Sequence, residues 1–100
     1  MNYKEEYIDW REKKDSAESL KYKKRWIDYF YDWLNQEGKK PEGINSFDLE
    51  KDVLLEHNNE FAYVSTEDLY YTLSEFYRML ERKDKIAKDD NPVRDITLSN

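Results

Sequence analysis

Apolar residues recur at three- and four-residue intervals along most of this chain, the spacing of helices with one buried side. Between residues 16 and 37, Leu20, Ile27, Phe30, Tyr31 and Leu34 fall on one stripe, and Tyr22, Trp26, Tyr29 and Trp33 form a second. Lys21, Arg25, Asp28 and Asp32 take the remaining side. A helix apolar around more than half its girth belongs at the centre of a bundle, touched by several neighbours. The first stripe is core, and the second is expected to pack on the first helix through Tyr7 and Trp10. Near the C-terminal end, Leu69, Leu73, Phe76 and Leu80 line one face, Tyr70 and Tyr77 flank it, and Tyr71, Ser74, Arg78 and Arg82 lie opposite.

Cap signals set the boundaries. "DSAE" (15–18), "NSFD" (45–48) and "STED" (65–68) each put a capping side chain three residues before an acid. Gly38 suits the left-handed position that ends a helix, with Pro41 soon after. These signals predict four helices at about 3–14, 16–37, 46–58 and 65–84, followed by a polar, extended tail. The expectation is an all-α four-helix bundle forming a single domain over residues 1–100.

Composition narrows the classes. Charged residues make up 40% of the chain, which alone suggests disorder, but 38% is hydrophobic and 16% aromatic, enough for a core in 100 residues. The absence of cysteine excludes disulfides and thiolate metal sites. No apolar run approaches the ~20 residues of a membrane span, and the acidic start "MNYKEEYIDW" has no signal-like apolar core. A cytoplasmic protein is expected. The net charge of −6 is uneven: residues 11–25 carry seven basic and three acidic side chains, 42–75 one and nine, and 78–88 five and two.

Six pieces, in this order and at these separations, carry a resemblance: "SAES" (16–19), "FYDWL" (30–34), "INSFDL" (44–49), "VSTEDL" (64–69), "LSEFYRML" (73–80) and "NP" (91–92). They resemble the N-terminal core-binding domain of the tyrosine recombinase, or phage integrase, family, over about residues 5–96. The resemblance implies a SAM-like core-binding fold. It implies duplex DNA as partner, clamped between this domain and a separate catalytic domain, with helices two and four across the major groove. It implies a DNA-contacting set of Ser19, Lys21, Tyr22, Lys23 and Arg25 on the second helix and Ser65, Tyr71, Ser74 and Arg78 on the fourth. Lys and Arg would supply affinity, while Tyr and Ser position the duplex or read base edges. Lys21 and Arg25 are expected to project outward, and Lys23 to reach out along its stem. The sequence departs from the family where Glu67 and Asp68 stand in place of its common basic pair, acids that repel a phosphate approaching the helix start.

The family's catalytic domain supplies two arginines, a His-x-x-Arg element and a tyrosine nucleophile. None is expected here. His57 is the one histidine, in "HNNE" without the arginine, and reads as a surface or capping residue. No Gly-rich phosphate loop or Ser-His-Asp arrangement can be assembled, and Asp89-Asp90 reads as solvated tail. No catalytic residue, cofactor or metal is expected. The reading is the DNA-binding half of a recombinase that is tetrameric on DNA, this half itself monomeric and without its catalytic domain. The alternative is a small acidic helical interaction module, such as a phage- or virus-encoded inhibitor. That alternative would scatter the basic side chains and expose Trp26 or Trp33.

Overall fold

The computed structural model describes residues 2–98. Among them there is no strand, and four main helices account for most of the chain. The first, α1, spans Tyr3–Glu12 and is capped by the Asn2 side chain, which accepts from the N–H groups of Lys4 and Glu5. Helix α2 spans Ala17–Glu37. Ser16, not Asp15, caps it by accepting from the Ser19 N–H at 3.2 Å, which leaves the Asp15 carboxylate for other work described below. Gly38 closes α2 at φ 64°, and the Lys39 N–H returns to the Leu34 carbonyl at 2.9 Å. A Cβ at Gly38 would touch nothing, so the left-handed backbone is what requires glycine. Gly38→Ala is expected to lower stability by about 1–2 kcal/mol, read from the urea midpoint. An unchanged midpoint would mean that the turn can relax.

The third helix, α3, covers 46–60 and opens as expected, with the Asn45 side chain accepting from the Asp48 N–H at 2.8 Å. Its middle, Leu49–Leu55, widens into π-helical turns before α-helical geometry resumes over Glu56–Glu60. Wider turns bring residues four and five apart onto one face. Leu49, Val53 and Leu54 are accordingly all buried, while Leu55 stays exposed. Helix α4 spans Tyr63–Arg82 and starts two residues earlier than its sequence signal. Ser65 therefore does not cap it. Ala62 stands at the cap without a side-chain bond, and Ser65 sits within the first turn, its N–H bonded to the Ala62 carbonyl.

Helices α2 and α4 form the centre. Ile27, Phe30 and Leu34 meet Leu69, Leu73, Phe76 and Leu80 in one core, as the two stripes predict, while Tyr31 is half-buried against it and Leu20, expected in the core, is half-buried outside it. The second stripe of α2 packs differently from expectation. Trp26 and Tyr29 lie edge-on to His57 and Phe61 at the end of α3. Tyr7 of α1 instead meets Phe76 of α4 at 5.9 Å and its own neighbour Trp10 at 6.2 Å. Helix α1 lies beside the edge of α2 that carries Lys24 and Asp28, tied by ion pairs of Lys4 with Asp28 and Lys24 with Glu12.

The segment after α4 is not an extended tail. It makes two short 3-10 turns, Lys88–Asp90 and Pro92–Asp95, and returns Val93 and Ile96 to the core. The Ser46 hydroxyl donates to the Pro92 carbonyl at 2.7 Å and the Tyr70 hydroxyl to the Ile96 carbonyl at 3.1 Å. Glu81 of α4 holds Arg94 through two parallel bonds of 2.8 and 2.9 Å and also accepts from Asn91. No helix is long and apolar enough to cross a membrane, among the described residues.

Candidate nucleic-acid interface

Where α2 and α4 meet, their side chains leave a hollow of about 170 Å³ lined by Tyr22, Lys23, Tyr71, Ser74, Glu75 and Arg78. Five of the nine residues expected to touch DNA are therefore brought together, from two helices about fifty residues apart in sequence. Tyr71 is 57% exposed. Arg78 is exposed and makes no ion pair among the described residues. The Ser74 hydroxyl donates back to the Tyr70 carbonyl at 2.9 Å, so it serves the helix.

The other four lie outside this hollow. Lys21 and Arg25 are exposed on the outer side of α2, whereas Ser19 and Ser65 are half-buried in first turns. The Arg25 guanidinium lies 4.5 Å from the Trp26 ring centre and 5.5 Å from that of Phe61. Stacking of this kind holds the planar group still while leaving its edge free for a partner.

Lys23 corrects the sequence reading. Its stem does not reach out. The ammonium is buried, 2.8 Å from Asp15 and 3.0 Å from Glu75. Arg11 completes the cluster, with Asp15 at 2.6 Å and Glu75 at 3.5 Å, and the Tyr7 hydroxyl donates to Glu75 at 2.8 Å. Two cations and two carboxylates thus cancel at the junction of α1, α2 and α4. The Arg11 and Lys23 bonds hold the Asp15 carboxyl down at about 2, against the opposing cost of its burial. Lys23 is a structural charge and cannot engage a phosphate without leaving this cluster. The basic run at 11–25 consequently presents fewer cations outward than its sequence implies, since Arg11, Lys23 and Lys24 are all paired.

Acids border the same face. Glu67 and Asp68 are half-buried in the second turn of α4. Burial, together with the nearby Asp68 and Glu75 charges, raises the Tyr22 phenol. Burial likewise raises Tyr7, Tyr29, Tyr31 and Tyr77. A phenol pushed upward keeps its proton and is a poor nucleophile.

His57 also lies elsewhere than its sequence reading suggests. It is neither on the surface nor a cap: its exposure is 0%. Its ring stacks on Phe61 at 4.4 Å and meets Trp26 at 4.3 Å and Tyr29 at 4.9 Å edge-on. Nδ1 and the Thr66 hydroxyl share a hydrogen bond of 2.7 Å, and Nε2 is buried with no partner. Burial, and secondarily the Arg25 charge, push the imidazole down to about 4. A signal was present in the sequence: His57 follows Leu49 and Val53 at four-residue steps, so the apolar stripe of α3 passes through it.

The two tryptophans that mark the rival reading are not laid open. Trp26 is 3% exposed, and Trp33 is half-buried beneath Lys39 and stacked on Phe30. Among the described residues, no group of three or more His, Cys, Asp or Glu is placed to hold a metal ion. No family model matches the chain, and no curated protein or solved structure is significantly similar to it.

Proposed function

We propose that this chain is a duplex-DNA-binding module, built like the core-binding half of a tyrosine recombinase and working beside a separate catalytic domain. The observation that carries this reading is Arg78: an unpaired cation over a hollow between two packed helices, beside the exposed ring of Tyr71. Lys21 and Arg25 add outward charge on α2. The all-helical core and the cap at Asn45 agree with such a domain, and the burial of Trp26 counts against the rival reading. The contact set we propose is Lys21, Tyr22, Arg25, Tyr71 and Arg78; Lys23 is left out because it is buried in its ion-pair cluster, Ser19 and Ser65 because they are half-buried in first turns, and Ser74 because its hydroxyl serves the helix.

The net charge of −6 opposes approach to DNA. Binding by this module alone is therefore expected to be weak and mainly non-specific. It should fall with salt by ~0.9 log units of affinity per log unit of salt for each phosphate neutralised. The test is a fluorescence-anisotropy titration with duplex DNA at low salt. Reversing Lys21 and Arg25 to Glu should abolish binding, and changing Glu67 and Asp68 to Lys should strengthen it. If the double-lysine variant shows no duplex binding, the proposal falls.

Two observations favour the interaction-module reading instead: the basic side chains are spread out, with Lys23 buried, Lys24 paired with Glu12 and Lys21 and Arg25 outside the hollow of Arg78, and apolar side chains stand open. Phe47 and Leu55 stand 68% and 54% exposed on the acidic helix α3. The same titration separates the two, because that reading predicts no DNA binding by the natural chain or by the double-lysine variant.

A further inference from the structure

A second cavity, of about 220 Å³, lies on the other side of Ser74 and Arg78 and is lined also by Tyr70, Asn91, Val93 and Arg94. We infer that it is a phosphate pocket, in which Arg94 from the segment after α4 works together with Arg78. The inference deepens the duplex-DNA reading and rests on it for the source of the phosphate, a group of the DNA backbone.

The segment carrying Arg94 is fixed. Val93 and Ile96 are buried on either side of it, and the Ser46 and Tyr70 hydroxyls hold the carbonyls of Pro92 and Ile96. Glu81 grips Nε and Nη2 of Arg94, which orients the guanidinium and leaves Nη1 without a partner among the described residues. The carboxylate is itself satisfied, because Asn91 also donates to it and because the Arg94 bond holds it charged. Glu81 and Arg94 therefore cancel, and the unpaired Arg78 gives the cavity one net positive charge.

The donors also select the ligand. Both hydroxyls on the wall are spent inside the protein, Ser74 on the Tyr70 carbonyl and Tyr70 on Ile96. What remains is guanidinium N–H from two directions. A planar carboxylate matches one such fork. A tetrahedral oxyanion can accept from the fork of Arg78 and, through another oxygen, from the Nη1 end of Arg94, so phosphate fits better. Arg78 and Ser74 form the wall shared with the hollow between α2 and α4. A backbone running along α4 would thus meet Arg78 first and Arg94 next.

The experiment follows the arginine Nε–Hε signals of the full chain by NMR, with inorganic phosphate as probe and sodium chloride at matched ionic strength as control. Duplex binding is measured over a salt series in parallel. Phosphate, but not chloride, should shift the Arg78 and Arg94 signals saturably. Arg78→Gln and Arg94→Gln should each weaken phosphate binding about tenfold and reduce the salt slope of duplex binding by ~0.9. Arg94→Lys keeps the ion pair to Glu81 and so guards against detachment of the segment; it should lose most of the phosphate response with the Val93 and Ile96 methyl signals unmoved. Glu81→Gln removes the competing anion and should tighten phosphate binding, whereas a purely structural clasp would gain nothing from it. Equal shifts with chloride overturn the pocket. A salt slope lowered by Arg78→Gln but unaffected by either Arg94 variant overturns the role of Arg94 and leaves the DNA reading standing. Saturable phosphate binding without any duplex binding keeps the pocket and removes the DNA reading.

Discussion

Asp15→Ala is expected to destabilise the fold by about 2–3 kcal/mol, between the ~0–1 kcal/mol of an exposed ion pair and the ~3–5 kcal/mol for removing one partner of a fully buried one. Asp15 accepts two bonds from Arg11, at 2.6 and 3.0 Å, and one from Lys23 at 2.8 Å. The side chains concerned are little exposed, 9% for Asp15, 8% for Lys23 and 13% for Arg11. Without Asp15, two cations would share the single charge of Glu75 at the junction of three helices. The magnitude distinguishes this role from the one the sequence suggests, because loss of a helix cap costs only about 1 kcal/mol. Asp15→Asn should fall between, keeping shape and some hydrogen bonding. Adding Lys23→Met to Asp15→Ala should return part of the loss, since the orphaned ammonium leaves with it. Urea unfolding followed by circular dichroism measures all three. A loss near 1 kcal/mol for Asp15→Ala would show the cluster to be solvated and Asp15 to be no more than a turn residue. The sign with pH follows from the depressed carboxyl. The contribution is whole above the ordinary Asp value of about 3.9 and fades as pH falls towards about 2.

The centre of the fold is legible in the sequence because its signals are local. The stripe of α2, the stripe of α4 and the caps at Asn45 and Gly38 all appear where spacing and residue type place them. What escaped is decided by contacts distant in the chain. Lys23 lies near the core stripe on its helix, but whether it snorkels outward or turns in depends on Glu75, fifty-two residues on. The start of α4 escaped because Ala62 carries no capping group, so the Ser65 signal drew the boundary inward. Val93 and Ile96 have no periodicity among polar neighbours, and only the Glu81 clasp and the groove they fill show them to be core. The pairing of the second α2 stripe was misassigned for a related reason. Tyr7 and Trp10 were visible aromatic partners, whereas His57 and Phe61 became partners only once α3 widened and turned its end toward Trp26. The candidate interface was half legible. Outward positions on two amphipathic helices can be read from spacing, and the internal pairing of a basic run cannot.

His57 should make the fold acid-sensitive in a window that the carboxylates leave clear. Every element packed on it disfavours a proton. From α2, Trp26 and Tyr29 wall it in and Arg25 stands beside it; from α4 comes only the Thr66 hydroxyl; Phe61 covers its face. Glu56 and Glu60, on its own helix, act on Tyr29 beside it but are exposed. Aromatic faces can stabilise a cation, but Arg25 already stacks over Trp26 and Phe61. The imidazole therefore titrates at about 4 in the folded chain, against about 6.5 unfolded. The unfolded state takes the proton first, so stability is whole above about pH 6.5 and drains away as pH falls toward about 4. The full loss is on the order of 3 kcal/mol at 1.36 kcal/mol per pH unit. Asp15 and Glu81, both held low, contribute their losses below the ordinary carboxylate values and so beneath most of this window. Stability measured by urea titration from pH 7 to pH 4.5 should fall steadily for the natural chain and stay nearly flat for His57→Phe, whatever that variant's stability at pH 7. Arg25→Gln should raise the imidazole and shallow the slope, which the His57 Cε1–H shift reports directly in the folded protein. An imidazole titrating near 6.5 in the native state would mean that water reaches Nε2 and that the aromatic enclosure around His57 opens in solution.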